Sequence, residues 1–461
     1  MNNKDNKSKK LLHPVLLMLI VLFLCLVLSY LIPSGTFSYD GKNVIPNSYT
    51  AIKNVHFSLT NLFMVHAKQT SSGLGILDVF LAIPDGFKNY STLIMMVLII
   101  GGMFGVLQET GLIEKGIDRL LVLTKANLYL LTFTLMVILS LGSTFVGLIS
   151  EYLIIIPIIV ALMARFGLSN LVGLAVVAIS AKLGYIASVT NPFALSVAQP
   201  IAGIPVLSGI PFRFCAYILL LIAGCAYMFF YIKKQAVTPV AINHDKAEKL
   251  DKTSFSLLVL IVVAVVFLIY AQHHWAWNTN QLSTFYIIFS LLISVVARLN
   301  PSVAAEAFIS GMRRMVLAAV LIGMAGAVDI LLKKSMILDT IIYDLSNLLQ
   351  FGDGIISTNI MMFIQMILDI LIPSTSGQAA VTLPILVPVG HQLHVSAQST
   401  VSAFLFGNGL SNMITPTSGM LLAYLATARV NYLSWLRFII PLFVIFLIIL
   451  CVMLSLSNLF G

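Results

Sequence analysis

Apolar runs of about 20 residues, long enough to cross a bilayer, recur from Leu12 to the C-terminus of this 461-residue chain. In two stretches, 141–205 and 372–430, the apolar sequence is broken at membrane depth by polar residues and prolines in a shared order. The first contains GSTFVGLISEYLIIIP (Gly142–Pro157) and the second PSTSGQAAVTLP (Pro373–Pro384). Glu151 stands six residues before Pro157 and Gln378 six before Pro384, while Ser169 and Ser396 each follow their proline by twelve. A second break follows in each copy, SVTNP (Ser188–Pro192) and NMITP (Asn412–Pro416). In hydrocarbon, backbone polar groups need partners inside the protein, so irregular backbone survives only where protein or a wet cavity surrounds it. Matching broken segments in two halves therefore point to the substrate site of a carrier.

Composition agrees with a chain that faces lipid: 59% of residues are hydrophobic and 9% charged, against roughly 25% charged in soluble domains. The expected fold is an all-α polytopic membrane protein with about nine transmembrane helices. These are placed near 12–32, 91–111, 168–205 (broken), 211–232, 254–271, 282–298, 315–332, 397–430 (broken) and 437–457. Two re-entrant helical hairpins are expected at about 128–165 and 355–391. The first apolar run is too long for a signal-peptide core and is read as a retained helix. Cys25, Cys215, Cys225 and Cys451 lie inside apolar spans without paired spacing, which suggests buried thiols rather than disulfides or metal ligands.

The net charge of +9 is unevenly spread. With the N-terminus inside, 18 of the 26 Lys and Arg residues fall on the cytoplasmic side. Seven fall outside: Lys42, Lys53, Lys68, Lys88, Arg213, Lys333 and Lys334. This asymmetry follows the positive-inside rule and explains the basic balance without nucleic acid. The long polar stretch 233–253 reads as a cytoplasmic linker between a first half, 1–232, and a second half, 254–461. On this topology the first hairpin enters from the cytoplasm and the second from outside, making the halves inverted repeats. Interfacial helices are expected at Gly75–Phe87, 112–123 and 335–350.

A proline inside a helix removes a hydrogen bond and frees a carbonyl. Hydroxyl-rich breaks thus gather half-helix ends, free carbonyls and side-chain oxygens. Half-helix N-termini attract a carboxylate, and carbonyl and hydroxyl oxygens suit a hard cation such as Na⁺. The expected substrate site comprises Ser143, Thr144, Ser374, Thr375 and Ser376 at the hairpin tips, with Asn191, Asn412 and Thr415 at the breaks. A Na⁺ ion is expected near Asn191 and Thr415. Glu151, Lys182, Asp369 and Gln378 would tune charge or coupling, since ionisable groups at this depth usually face a cavity or a partner. The plainer alternatives are hydroxyls that glue helices together and a structural ion pair between Glu151 and Lys182.

At these residues the chain resembles the YfcC family of bacterial inner-membrane carriers. That family is related to the DcuC C4-dicarboxylate and aminobenzoyl-glutamate carriers of the ion-transporter superfamily. The resemblance runs nearly end to end. It rests on IPSGTF (Ile32–Phe37), PNSY (Pro46–Tyr49), LIIGGMFGVLQETGLIEKGI (Leu98–Ile117), NPFALSVAQPIAGIPVLSGIPFR (Asn191–Arg213), LIPSTSGQAAVTLPILVP (Leu371–Pro388) and FGNGLSNMITPTSGML (Phe406–Leu421). It implies an inverted-repeat fold, a homodimer, and elevator-type alternating access in which a transport domain slides against a scaffold. Family members are labelled variously as basic amino-acid antiporters, arginine/ornithine exchangers and dicarboxylate carriers. This chain departs from the usual pattern at Ser150-Glu151, where two adjacent acids are common, and at Lys182, where small residues are. It departs also at Asp369, where Asn is common, and at Gly326, where an Arg often stands. Fewer acids and an added Lys favour a substrate bearing a carboxylate over a dibasic one.

The expected activity is secondary active transport of a small carboxylate-bearing metabolite, an amino acid or related compound, coupled to Na⁺ or H⁺. An arginine/ornithine-type exchanger or a C4-dicarboxylate carrier is the alternative. No cofactor is expected, and lipid and a second subunit are the expected macromolecular surroundings. A membrane-embedded hydrolase is disfavoured because the eight His residues lie at predicted ends or loops, with no HExxH pair. A nucleotide-driven pump is disfavoured by the lack of a GxxxxGK[ST] loop. A channel would more naturally repeat one filter by subunit symmetry.

Overall fold

The computed structural model describes residues 14–40, 43–45, 48–52, 59–65, 73–112, 115, 127–205, 207–235, 237, 251–275, 277, 279–351 and 353–460. Two short antiparallel strand pairs follow the first helix, β1 (Gly35–Thr36) with β4 (Thr50–Ala51) and β2 (Tyr39–Asp40) with β3 (Asn43–Val44). The rest is helical.

The first half runs α1 (Pro14–Leu31), α2 (Leu59–Phe63), α3 (Ile76–Asn89), α4 (Ser91–Glu109), α5 (Leu128–Leu141), α6 (Ile155–Arg165), α7 (Asn170–Ala187), α8 (Pro192–Ile201) and α9 (Ile210–Lys233). The second runs α10 (Lys252–Trp275), α11 (Thr279–Val296), α12 (Pro301–Arg314), α13 (Val316–Lys334), α14 (Leu338–Asn347), α15 (Gly354–Leu371), α16 (Thr375–Gln392), α17 (Ala397–Ser411), α18 (Gly419–Thr427) and α19 (Tyr432–Phe460). Among the described residues, seven helices are long and apolar enough to cross a membrane. The chain is a multi-pass membrane protein.

Local chemistry sets the helix starts. Asp353, Ser374, Ser396 and Ser418 each stand in extended conformation at a helix N-cap, and each side chain accepts from a backbone N–H of the first turn. Ser396 and Ser169, equally spaced from the two prolines, are the N-caps of α17 and α7. A π-helical turn, Gly142–Val146, and a 3₁₀ turn, Ser150–Leu153, separate α5 from α6. Between them Gly147 takes a left-handed φ of 81°, a conformation open to glycine at no steric cost.

The helix α12 departs from the sequence reading. The segment 298–314 reads as a basic cytoplasmic connection, yet Asn300 caps and Pro301 opens the amphipathic helix α12, which packs along α4. The fit depends on missing side chains: a Cβ on Gly311 would lie 2.1 Å from the Gly101 carbonyl oxygen, and one on Gly105 2.0 Å from that of Ala307. The expected interfacial helix at 112–123 lies mostly outside the described residues.

Helix contacts come in exchanged pairs. α3 packs on α13 as α12 packs on α4, α1 on α13 as α11 on α4, and α5 on α7 as α15 on α17. Likewise α6 and α9 pack on α7 as α16 and α19 pack on α17. The contacts α4–α13, α7–α17 and α9–α19 each join an element to its own counterpart. Such a pattern is what a two-fold relation between the halves produces, with α2, α10 and α14 unpaired among the described helices. At the centre lie α7, buried at every residue from Val172 to Ala187, and α17. A helix apolar around its whole circumference is expected to be buried on all sides.

Candidate functional site

The breaks after α7 and α17 and the turn before α16 open onto one cavity of about 600 Å³, within the usual range for small-molecule sites. Its wall includes Lys182 and Tyr185 from α7, Asn191 from the first break, Thr375 and Ser376 from the start of α16, and Asn412 and Ser418 from the second break. Tyr90, Trp277 and Thr279 line it as well. Gly326 leaves room for Tyr90, because a Cβ there would lie 2.4 Å from the ring.

Three helices begin at this wall. α8 starts beside Asn191, α16 beside Thr375 and Ser376, and α18 beside Ser418 and Gly419. The first N–H groups of a helix lack intrahelical partners and carry partial positive charge. Lys182 adds its side-chain amine. It is 3% exposed, and no described carboxylate lies within 4 Å of its ammonium. A buried ammonium without a carboxylate is costly unless something else answers it. Beyond that distance, the buried carboxylate of Asp369 behind the wall acts on Lys182 electrostatically.

Behind the wall is a carboxamide network. Asp369 is fully buried, and its Oδ1 accepts from Asn408 Nδ2 and Asn412 Nδ2, each at 2.8 Å. Its Oδ2 accepts from no described residue. Asn408 Nδ2 also donates to Gln378 Oε1 at 2.8 Å, and Gln378 Nε2 donates to Gln365 Oε1 at 2.6 Å. The Tyr185 hydroxyl donates to Asn408 Oδ1 at 2.9 Å and shares a hydrogen bond with Thr375 Oγ1. Ser418 Oγ donates to Asn412 Oδ1 at 2.7 Å, which fixes the face that Asn412 turns to the cavity. Asp369 and Gln378 therefore orient wall residues and do not line the cavity themselves.

The structure sorts the remaining sequence candidates. Ser143 and Thr144 are buried and tie the first turn to the first broken helix. Ser143 Oγ donates to the Ala181 carbonyl at 2.6 Å, and Thr144 Oγ1 accepts from Val189 N at 3.1 Å. Ser374 caps α16 through Gly377 N, and Thr415 shares a 2.8 Å hydrogen bond with Thr417. None of these four is on the cavity wall. Glu151 lies in the 3₁₀ turn, and its side chain lies outside what the structure describes.

Sequence reasoning did not single out Tyr185, Asn408, Ser418 or Arg213. Arg213 was placed outside the membrane, but it is fully buried in the first turn of α9 and donates to the carbonyls of Ser188 and Val189. An arginine four residues into an apolar span was the available signal.

Residues 12–458 match the DcuC family, described as a C4-dicarboxylate anaerobic carrier. The chain belongs to the DcuC family. The chain is 31% identical over 369 residues to YfcC of Escherichia coli, provisionally described as a basic amino acid antiporter, covering 75% of this chain and 73% of that one. It is 26% identical over 385 residues to an uncharacterized protein of Haemophilus influenzae, covering 80% and 75%. Two solved structures resemble this DcuC-family chain at low similarity. The YdaH transporter of Alcanivorax borkumensis shares 15% identity over 98% of this chain and 99% of its own, with a TM-score of 0.47. MtrF of Neisseria gonorrhoeae, titled an antimetabolite efflux pump, shares 18% over 97% and 95%, with a TM-score of 0.42. The protein is a transporter of the YfcC/DcuC type.

Proposed function

We propose that the protein is a secondary active transporter of a small metabolite bearing a carboxylate, an amino acid or related compound, in a bacterial inner membrane. The observation that carries this reading is the Lys182 ammonium, without a described carboxylate within 4 Å, on a cavity wall where three helices begin. A substrate carboxylate would answer Lys182 and the free N–H groups together. Thr375, Ser376, Asn191 and Asn412 supply the neutral donors and acceptors that fix the rest of the molecule.

A C4-dicarboxylate is the second reading, favoured by the family's own description. An arginine/ornithine-type exchanger is the third, favoured by the relative described as a basic amino acid antiporter. The exchanged contact pairs support two related repeats. We infer that these are inverted, with α5–α6 and α15–α16 as re-entrant hairpins and the N-terminus inside, in a homodimer. Of the unpaired helices, α10 would supply the odd crossing that inversion of the second repeat needs. Helices α1, α3, α4 and α11–α13 pack mainly among themselves, as do α5–α9 with α15–α17 and α19, and the two groups meet where α18 packs on α13. Those two groups fit a scaffold and a moving transport unit, the division an elevator mechanism requires.

Uptake into proteoliposomes tests the reading, with labelled amino acids and dicarboxylates screened with and without an inward Na⁺ or H⁺ gradient. Saturable uptake that follows the gradient is the expected result. Uptake only into vesicles preloaded with counter-substrate would replace symport with exchange. No uptake of any carboxylate would overturn the reading.

A further inference from the structure

We propose that Arg213 is a resident cation seated on the carbonyls of the first broken helix, so that the first break takes no coupling cation. The two breaks match in sequence but then do different work.

α7 ends at Ala187, and the carbonyls beyond its last turn carry the partial negative charge of a helix C-terminus. Sequence alone puts a Na⁺ ion here, beside Asn191. In the structure the place is taken. Arg213 Nε donates to the Ser188 carbonyl at 3.0 Å and Nη2 to the Val189 carbonyl at 3.1 Å. Ser188 itself adopts a left-handed φ of 41°. No described carboxylate lies within 4 Å of the guanidinium, and its Nη1 has no partner among the described residues. The charge is answered by the half-helix end. A Na⁺ ion on these carbonyls would stand beside a like charge in a poorly screened interior. The donor set does not fit the ion.

The second half provides the comparison. α19 is the counterpart of α9, and Trp435 is its fourth residue as Arg213 is the fourth of α9. Trp435 Nε1 donates to the Met413 carbonyl at 2.9 Å. Met413 lies two residues beyond the end of α17, as Val189 lies two beyond the end of α7. Tyr432 donates its hydroxyl proton to the next carbonyl, Ile414. The equivalent carbonyls of Val189 and Met413 thus receive a cationic donor in the first half and a neutral one in the second. The neutral break also lies against Asp369, through Asn412. A coupling cation belongs at the second break. That consequence rests on the ion-coupled transport reading above, whereas the Arg213 geometry does not.

The test is thermal unfolding of the purified full-length protein without substrate, exchanging NaCl for choline chloride at constant ionic strength. R213Q is expected to gain a Na⁺-dependent rise in Tm several degrees larger than that of the wild type, and R213K is expected to gain none. An equal Na⁺ response in wild type and R213Q, or an equal gain in R213K and R213Q, overturns the proposal. If R213Q folds in neither salt, R213K decides: folding with the wild-type response supports a required charge, and failure to fold counts against it. Absence of carboxylate uptake alongside the expected Tm pattern would refute the transport reading and leave the Arg213 assignment standing.

Discussion

The Tyr185 hydroxyl on the first broken helix donates to Asn408 Oδ1 on the second at 2.9 Å. The same carboxamide holds Asp369 and Gln378 through its nitrogen. One side chain thus joins both broken helices to both arms of the α15–α16 pair. Asn408→Ala would leave Gln378 Oε1 without a donor among the described residues and strip one donor from buried Asp369. Each orphaned group costs about 1–3 kcal/mol, so the Tm in detergent should fall by several degrees and uptake should be lost. An alanine variant as stable as the wild type would show the network to be dispensable.

Lys182→Met keeps the length of the side chain and removes its charge. If Lys182 waits for a substrate carboxylate, the variant should insert normally, unfold at or above the wild-type temperature, and bind substrate at least about tenfold more weakly. If instead Lys182 belongs to a buried ion pair, breaking it should cost about 3–5 kcal/mol of stability. Tm and substrate affinity, measured on one preparation, separate the two roles.

Asp369→Asn retains an oxygen that can accept from Asn408 and Asn412, so folding should survive. What it loses is the negative charge beside the second break. Gradient-driven uptake should drop while exchange across equilibrated membranes persists. Unchanged gradient dependence would remove Asp369 from coupling.

The α4–α12 crossing is held by the absence of side chains. Gly311→Ala would set a methyl group 2.1 Å from the Gly101 carbonyl oxygen, and relieving that overlap should cost about 1–3 kcal/mol. Denaturation in detergent reads this directly, and a neutral substitution would mean that the two helices are not so closely packed.

On the linker side, Lys115 and Ser254 hydrogen-bond to Asp251 and hold its carboxyl down at about 2. A depressed carboxylate contributes stability above its unfolded value of about 3.9 and loses that contribution as pH falls through about 2. This tie should therefore be insensitive to pH throughout the neutral range. NMR of a labelled Asp251 carboxyl should show the low midpoint in the wild type and an ordinary one in Lys115→Ala.

Much of the fold was legible because its signals are local. Proline and serine spacing marked the breaks that became the ends of α7, α16 and α17, and apolar run length marked most spans. α12 was missed because its weak apolarity and two terminal arginines look like a loop, and only close packing on α4 explains its place. For the site, proximity to the breaks pointed to Asn191, Thr375, Ser376 and Asn412, and charge at membrane depth to Lys182; all five line the cavity. It did not reveal which way a hydroxyl turns. Ser143 and Thr144 face the interior of the first broken helix because that helix needs its backbone satisfied there. Arg213 was lost to bookkeeping by topology, since a charge near a helix end counts as exposed until a partner carbonyl is seen.

The most direct test of carboxylate recognition at Lys182 is the ligand-induced Tm shift of wild type and Lys182→Met, each titrated with the best transported acid and with its carboxamide. A shift by the acid alone, lost in Lys182→Met, is the predicted result. Equal shifts by acid and carboxamide, or a shift by the acid that survives in Lys182→Met, would contradict it.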